Sequence, residues 1–191
     1  MKKKIVLASG NKHKLREIRE ILCDYEIVSC HDLGFYDEVE ETGTTFYENA
    51  FIKAKAVYDR FKLPTLADDS GICVCALDDA PGIYSARYSP EGTDESNRRF
   101  LLENMKDKAD RRARFVCCLV LIKEDGEIVT TTGETHGELL YEESGENGFG
   151  YDPIFHSYDL DTCLGIASEE QKNTISHRYR ALKKIKELLE K

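Results

Sequence analysis

Two acidic segments of the chain carry carboxylates that could hold a divalent cation and act on a water molecule. Glu40 and Glu41 precede Gly43, and the run Asp68-Asp69-Ser70-Gly71 follows an apolar pair. Mg²⁺ prefers hard oxygen ligands and keeps several waters, so carboxylates from two segments suit an ion bound to a polyphosphate. A second carboxylate there could orient or deprotonate the attacking water. The alternative is that the aspartates cap a turn and the glutamates are solvated.

A glycine-containing segment near the N-terminus has the composition of a phosphate-binding turn. It reads Ser9, Gly10, Asn11, Lys12, His13 and Lys14. Backbone N–H groups and the helix dipole at a helix N-terminus favour phosphate, and Gly10 allows close approach of the backbone. Asn11 and Lys14 add donors one helical turn apart. The segment is not a Walker A sequence, so an ordinary strand-to-helix turn with solvated lysines is the alternative.

A helix face supplies a further cation. Phe46, Asn49 and Lys53 are spaced by three and four residues, which brings an amide and an ammonium to one side of a helix. Alanines and aromatic residues surround Lys53, an environment that suits a cation pointing into a binding site. Lys55 lies two residues away, so a surface role for both lysines is the alternative.

A glycine-rich loop and a basic helix start follow in the C-terminal half. Glycines around Phe149 allow the backbone to wrap a flat ligand, and the ring offers a stacking surface for a base. Asp152 precedes Pro153 and is expected to be extended. His177 and Arg178, with Lys172 upstream, can donate hydrogen bonds to a purine carbonyl oxygen. The alternatives are a hairpin-like loop with buried aromatic residues and a pair of surface cations.

The elements that must position these residues follow from hydrophobic periodicity and turn signals. Strands are predicted at residues 4–8, 26–30, 64–68, 71–77, 112–123 and 127–139, with an acidic turn at 68–71 and a hairpin turn at 124–126. Helices are predicted after residue 14, from Thr45 to about Phe61 with a Thr45–Glu48 capping box, from Thr93 to about Lys106, and at the C-terminus. The last helix is expected to carry Ile175, Tyr179, Leu182, Ile185 and Leu189 on one face. Alternating strands and helices predict an α/β fold in which helices flank a mixed twisted sheet.

Composition narrows the function classes. The 191 residues are read as a single domain, residues 1–191, with a formal net charge of −9. Its basic residues are dispersed, which argues against a duplex nucleic-acid binder. Neither a signal peptide nor a membrane-spanning run is apparent, so a cytoplasmic location is expected. A local cluster of donors is still compatible with a small anionic ligand.

The seven cysteines are expected to be reduced core residues. They form neither a CxxC pair nor a zinc spacing. Cys73 and Cys75 alternate within a predicted strand, and Cys117 and Cys118 lie within another. We therefore expect strand side chains that pack as small hydrophobic groups.

Six motifs, taken in order, resemble those of the inosine triphosphate pyrophosphatase family. They are SGNKHK, ETGTTFYENAFIKAKA, LADDSG, APGIYSARYS, GENGFGYDPIF and ISHR, and the resemblance extends from Ile5 to about Leu182. It implies an elongated α/β fold with a cleft between two lobes, a homodimer, and dependence on Mg²⁺. It also implies hydrolysis between the α and β phosphates of deaminated purine nucleoside triphosphates such as ITP, dITP and XTP.

The resemblance also implies roles at the matched positions. Asp69 would be the general base and a metal ligand, and Glu41 or the adjacent Glu40 would be a second ligand. The residues implied to bind the nucleotide are Ser9, Gly10, Asn11, Lys12, His13, Lys14, Lys53, Ser70, Phe149, Gly150, Tyr151, Asp152, Lys172, His177 and Arg178. Donors at His177 and Arg178 would favour a 6-oxo purine over adenine, because adenine would leave them unpaired.

The sequence is compatible with two other functions. One is a Maf-like pyrophosphatase that acts on other modified nucleotides, against which the SGNKHK and ISHR motifs weigh. The other is a non-catalytic nucleotide sensor, against which Asp69 and its neighbouring glutamates weigh. Release of pyrophosphate from ITP in the presence of Mg²⁺ would separate an enzyme from a sensor.

Overall fold

A computed structural model describes residues 2–190, which form a mixed seven-stranded sheet with helices. The strands are β1 (Lys4–Leu7), β2 (Glu26–Ser29), β3 (Thr65–Val74), β4 (Arg112–Ile122), β5 (Ile128–Leu139), β6 (Phe155–Ser157) and β7 (Thr162–Cys163). The helices are α1 (Lys12–Ile21), α2 (Phe46–Phe61), α3 (Asp94–Asn104), α4 (Glu169–Ile175) and α5 (His177–Leu189). The predicted α/β class with a mixed sheet is confirmed.

The sheet combines parallel and antiparallel pairing in the order β2-β1-β3-β4-β5-β6-β7. Strand β1 pairs in parallel with both β2 and β3, whereas β6 pairs antiparallel with β5 and β7. The predicted turn between β4 and β5 is present, because the Lys123 N–H donates to Glu127 O at 2.9 Å and Gly126 adopts a positive φ of 85°. No helix of residues 2–190 has the length and apolar character needed to span a membrane.

The described residues divide into two compact units, each built from separated segments of the chain. The first unit contains the chain up to Asp69, Cys117–Gly133 and the segment from Arg178 onward. The second contains Ser70–Val116 and Glu134–His177. Three of the four boundaries fall inside β3, β4 and β5, so each of these strands contributes to both units, and the fourth separates His177 from Arg178 at the start of α5.

Each unit has its own buried core. In the first unit β1, α1, β4 and α5 contribute fully buried side chains, among them Leu7, Ile18, Leu119 and Leu182. In the second unit a cluster of Ile72, Leu101, Phe115, Ile154 and Phe155 is buried, and the Phe115 and Phe155 ring centroids lie 4.7 Å apart. Burial of such side chains is the main favourable contribution to folding.

The predicted start of α2 is confirmed, with one change in its capping. Thr45 is the N-cap, and its hydroxyl accepts a hydrogen bond from the Glu48 N–H at 3.1 Å. The Glu48 carboxylate, however, accepts from the Thr44 N–H and hydroxyl, one residue before the N-cap. Helix α2 is therefore fastened to residue 44 as well as to its cap.

The structure corrects three local predictions. The acidic run at residues 68–71 is not a turn between two strands but part of the continuous strand β3. Ile175 does not belong to the last helix, because Ser176 is extended, with φ −61° and ψ 149°, and separates α4 from α5. Asp152 is not extended but opens a 3₁₀ turn, Asp152–Ile154, in which the fixed φ of Pro153 fits the start of a helical turn.

All seven cysteines are free thiols, but the prediction that they pack as core strand residues holds only for part of the set. Cys30, Cys73, Cys117, Cys118 and Cys163 are buried, whereas Cys23 and Cys75 are exposed. Cys75 fails the prediction because β3 ends at Val74 and a 3₁₀ turn, Cys75–Leu77, begins there. The alternation of a strand no longer applies once the backbone leaves the sheet.

Candidate active site

Asp69 on β3 shares one lysine partner with a second carboxylate. The Lys53 ammonium, on α2, is 2.9 Å from Asp69 Oδ1 and 2.8 Å from Glu41 Oε1. One cation therefore holds two carboxylates together, one from a strand and one from the loop before α2. Glu40, the other predicted metal ligand, is exposed.

The second oxygen of Asp69 is in a different state. Asp69 Oδ2 is buried and has no hydrogen-bond partner among the described residues. Burial raises the pKa of the Asp69 carboxyl above its ordinary value, although Lys53 opposes the shift and Glu41 adds to it. A carboxylate with one bound oxygen, one unbound oxygen and a raised pKa has the properties of a base that takes a proton from water.

The neighbouring Asp68 is stabilised as an anion. Its Oδ1 accepts from the Lys14 ammonium at 2.9 Å, and its Oδ2 lies 3.3 Å from Arg178 Nη2. Burial would raise the pKa of this carboxyl, but the charges of Lys14 and Arg178, with a smaller contribution from Lys53, hold it well below its ordinary value. Lys14 is thereby positioned by β3.

Glu17 is a functional candidate that the sequence analysis missed. It is buried on α1, and its Oε2 accepts from Arg178 Nη1 at 2.5 Å. A chain of ion pairs thus runs from Glu17 through Arg178 and Asp68 to Lys14. Its spacing was a usable signal, because residues three apart on a helix share a face and Glu17 follows Lys14 by three.

The segment at residues 9–14 is held by backbone and side-chain bonds. Asn11 caps α1, since its Oδ1 accepts from the N–H groups of His13 at 2.9 Å and Lys14 at 3.2 Å. Ser9 O accepts from the Ser29 hydroxyl at 2.9 Å. At Gly10 a Cβ would lie 1.9 Å from the His31 ring, so glycine lets this ring pack against the backbone, and a larger residue would require the ring to move. The side chains of His13 and Lys12 are exposed beside this turn.

The second unit brings together three other predicted residues. Lys172 is buried on α4, 2.5 Å from Asp152 Oδ2, and its ammonium lies 4.1 Å from the centre of the Phe149 ring. Asp152 Oδ2 also accepts from the Phe149 N–H at 2.8 Å. A cation over an aromatic face is attracted by the ring quadrupole, so this partly exposed ring is held in a defined place.

The loop that carries Phe149 is fastened on both sides. Gly148 has a positive φ of 78°, and a Cβ there would lie 2.2 Å from Asp152 Oδ2. The Gly150 N–H donates to Asp94 Oδ2, and Gly150 O accepts from Arg98 Nη1, each at 2.9 Å. Tyr151 is buried, and its hydroxyl donates to a backbone carbonyl. The loop is therefore a rigid support for the Phe149 ring.

The remaining predicted residues lie as follows. His177 is buried, and its ring stacks on Phe115 with centroids 5.1 Å apart and an interplanar angle of 15°. It belongs to the second unit, whereas Arg178, the next residue, belongs to the first. Ser70 is half-buried on β3. The structure thus groups Lys14, Glu41, Lys53, Asp68 and Asp69 in the first unit, and Phe149, Asp152 and Lys172 in the second.

The carboxylates of Glu41 and Asp69 fit a Mg²⁺ ion that keeps most of its water. Within residues 2–190 no three or more His, Cys, Asp or Glu side chains form a ready-made metal cage. Mg²⁺ is usually bound by one or two carboxylates plus substrate phosphates, so two carboxylates are enough. The unbound Oδ2 of Asp69 adds an oxygen of the right chemistry.

Comparison with known proteins gives a consistent set of relatives. The model of the Ham1 family matches residues 5–188. A dITP/XTP pyrophosphatase from Treponema denticola is 47% identical over 183 residues, 94% of each chain. Another, from Haemophilus influenzae, is 44% identical and covers 99% of this chain and 100% of the relative.

Solved structures agree with these sequence matches. The Ham1 protein of Staphylococcus aureus superposes with a TM-score of 0.92 at 42% identity, over 98% of each chain. A nucleoside-triphosphatase, dITP/XTP pyrophosphatase, from Mycobacterium abscessus superposes with a TM-score of 0.80 at 40% identity, over 95% of this chain and 98% of its own. The likeness therefore includes the whole fold.

Proposed function

The chain belongs to the Ham1 family, and from that premise we propose that it hydrolyses deaminated purine nucleoside triphosphates to the monophosphate and pyrophosphate. The substrates are ITP, dITP and XTP. The proposal rests mainly on the environment of Asp69, a buried carboxylate. One of its oxygens accepts from the Lys53 ammonium, and the other has no hydrogen-bond partner among the described residues. Relatives named dITP/XTP pyrophosphatase support the substrate class.

The phosphate chemistry is assigned to the first unit. Asp69 accepts a proton from the attacking water, and Lys14 and Lys53 neutralise the charge that develops on the leaving pyrophosphate. Glu41 and Asp69 would hold Mg²⁺, which when bound supplies further neutralisation of phosphate charge. Asp68 keeps Lys14 in place through the 2.9 Å ion pair.

Base recognition is assigned to the second unit. The Phe149 ring, fixed by Lys172 and the Gly148–Gly150 turn, offers a stacking face for a purine. His177 is the proposed donor to the 6-oxo group, since the Arg178 guanidinium already donates to Glu17 and Asp68. A homodimer, which the family resemblance implies, and the cytoplasmic location expected from the sequence complete the proposal.

The bond that breaks is the decisive test of the proposed reaction. Hydrolysis of ITP in ¹⁸O-labelled water should place the label in IMP and release intact pyrophosphate, as read by mass spectrometry. Attack at the γ-phosphorus would instead label orthophosphate and yield IDP, which would refute the assignment.

The role of Asp69 as the base is tested by the variant Asp69→Asn. This change should lower turnover by about 10² to 10⁴ while the protein stays folded, because it removes the base but keeps the side-chain size.

Selectivity tests the assignment of the base site. The wild-type protein should prefer ITP and XTP over ATP, and His177→Ala should reduce the ITP-to-ATP ratio of kcat/KM about tenfold, the effect of one lost hydrogen bond of about 1.4 kcal/mol. Lys183→Ala, an exposed change on the same helix, is the control and should leave the ratio unchanged. An unaltered ratio in a folded His177→Ala variant would move base recognition elsewhere.

A further inference from the structure

The loop that carries Glu41 is fastened to the first turns of α2 at several points. Gly43 N–H donates to Asn49 Oδ1 at 2.9 Å. Thr44 donates to the Glu48 carboxylate through its N–H at 2.6 Å and its hydroxyl at 2.9 Å. Residues 43–45 therefore follow α2 as one piece, and Glu41 lies two residues before the first of these bonds.

Asn49 is the buried member of this set. Its side chain is fully buried, whereas Glu48 is exposed. Four residues further along α2, on the same face, Lys53 holds the Glu41 carboxylate at 2.8 Å. Glu41 is thus held at both ends from one helix, by Asn49 through the backbone of Gly43 and by Lys53 at its carboxylate.

Asn49 carries a buried polar group that lowers the stability of the fold. Its Nδ2 is buried and has no hydrogen-bond partner among the described residues. A buried donor of this kind costs stability, and an apolar side chain of similar size would avoid the cost. Among residues 2–190, the hydrogen bond from the Gly43 N–H to Oδ1 is the one that accounts for an amide at this position.

Gly43 packs closely against the first turn of α2. A Cβ on Gly43 would lie 2.6 Å from Glu48 Cβ and 2.7 Å from Asn49 Oδ1. No side chain can be added there unless the loop moves away from α2. Two residues of extended chain span at most about 7 Å, so a fixed Gly43 keeps the backbone of Glu41 within that distance. Release of Gly43 would allow Glu41 to leave the neighbourhood of Asp69.

We propose that Asn49 is a positioning residue that, through Gly43, holds Glu41 in register with Asp69 for binding a divalent cation. The inference rests on the proposed function, because that function supplies the cation. Partners that orient a metal ligand typically contribute 10- to 100-fold to metal affinity. Loss of the Asn49–Gly43 contact should therefore weaken cation binding by about that factor.

The test is a Mn²⁺ titration of the full chain, followed by electron paramagnetic resonance of the free ion, with no nucleotide present. Asn49→Leu removes the acceptor and keeps the volume, and Gly43→Ala breaks the same contact from the loop. Each should raise the Kd for Mn²⁺ about 10- to 100-fold. The double variant should be no worse than either single one, since both remove one interaction.

Val57→Ala is the matched control for a purely structural effect. Val57 is a buried core residue of α2 that does not belong to the Gly43 contact. This variant should lower the thermal midpoint without changing the Kd for Mn²⁺. Equal Kd values in Asn49→Leu, Gly43→Ala and the wild type would overturn the inference.

The metal assignment itself has a separate readout. Glu41→Gln and Asp69→Asn should each weaken Mn²⁺ binding if the proposed site is right. A Kd for Mn²⁺ that is unchanged in Glu41→Gln, or no binding by the wild-type protein, would overturn the metal assignment and the inference together. A Kd for Mn²⁺ that rises in Glu41→Gln but is unchanged in both Asn49→Leu and Gly43→Ala would overturn the inference alone.

Discussion

Two adjacent carboxylates, Asp68 and Asp69, have opposite electrostatic environments. Consecutive side chains of a strand point to opposite faces of the sheet, so Asp68 meets Lys14 and Arg178 whereas Asp69 meets Lys53. The pKa of Asp68 is lowered and that of Asp69 is raised. Two neighbouring groups with separated pKa values are suited to different roles, one as a fixed anion and the other as a base.

Asp68 should make stability depend on pH in the acid range. Its folded-state pKa lies below the ordinary 3.8, so its ionised form stabilises the fold above pH 3.8, and that contribution is lost as the pH falls below 3.8. Asp68→Asn should lower the free energy of unfolding by about 3 to 5 kcal/mol at pH 7, because it leaves the buried Arg178 with one fewer anion.

Urea denaturation between pH 7 and pH 3 measures this effect. The difference between the wild type and Asp68→Asn should narrow below pH 3.8. Asp110→Asn is the control, because the pKa of Asp110 is lowered to about 2 by Arg112 but the carboxyl is only half-buried, and the change should have little effect at pH 7. A difference that stays constant across the range would contradict the role of Asp68.

At the scale of single residues, types and spacing predicted much of the site. Lys14, Lys53 and Asp69 were identified from motifs, and the structure joins Lys53 to Asp69 directly. Glu17 was missed because its spacing from Lys14 on α1 is a weak signal, and only its distant partner Arg178 makes it significant. Contacts between residues far apart in sequence cannot be read from local spacing.

At the scale of elements, the errors arose where one signal has two meanings. Gly71 was interpreted as part of a turn, yet it lies within β3, where a Cβ would be 2.2 Å from Gly82 O. Its glycine marks a close backbone approach instead of a reversal of the chain. The break between α4 and α5 was also not predicted, because apolar periodicity continues across Ser176. At the break the Ile175 carbonyl accepts a hydrogen bond from the Thr135 hydroxyl at 2.7 Å, a contact between residues far apart in sequence.

The burial of the strands predicts the reactivity of the thiols. Cys117 and Cys118 are consecutive on β4 and both buried, so both faces of that strand are covered. Burial also raises the pKa of Cys73 to about 11. A thiol reagent should therefore label two cysteines quickly in the native protein, Cys23 and Cys75, and all seven in urea.

Matched variants identify the reactive thiols in this assay. Cys23→Ser and Cys75→Ser should each remove one fast-reacting thiol, and the double variant should remove both. Fast labelling that survives in the double variant would show that one of the five buried thiols is accessible in the native state.

At the scale of the whole molecule, the order of motifs predicted more than any single motif. The α/β class followed from the alternation of strand and helix patterns and the family from six motifs, and a family match over residues 5–188 with a TM-score of 0.92 to a relative confirms both. The resemblance implied two lobes, but the assembly of each unit from separated segments was not predicted, because strands such as β4 read as continuous apolar segments and give no sign of a boundary inside them.

The discontinuous first unit has a consequence for synthesis on the ribosome. Its N-terminal segment is made first, yet its core needs Ala181, Leu182 and Ile185 of α5. These residues belong to the last segment of the unit to be synthesised, so the first unit cannot complete its core until α5 has been made. Until then Glu17 and Asp68 lack the charge of Arg178, which they face in the finished fold. A nonsense mutation before codon 178 would therefore deprive the earliest part of the protein of its core.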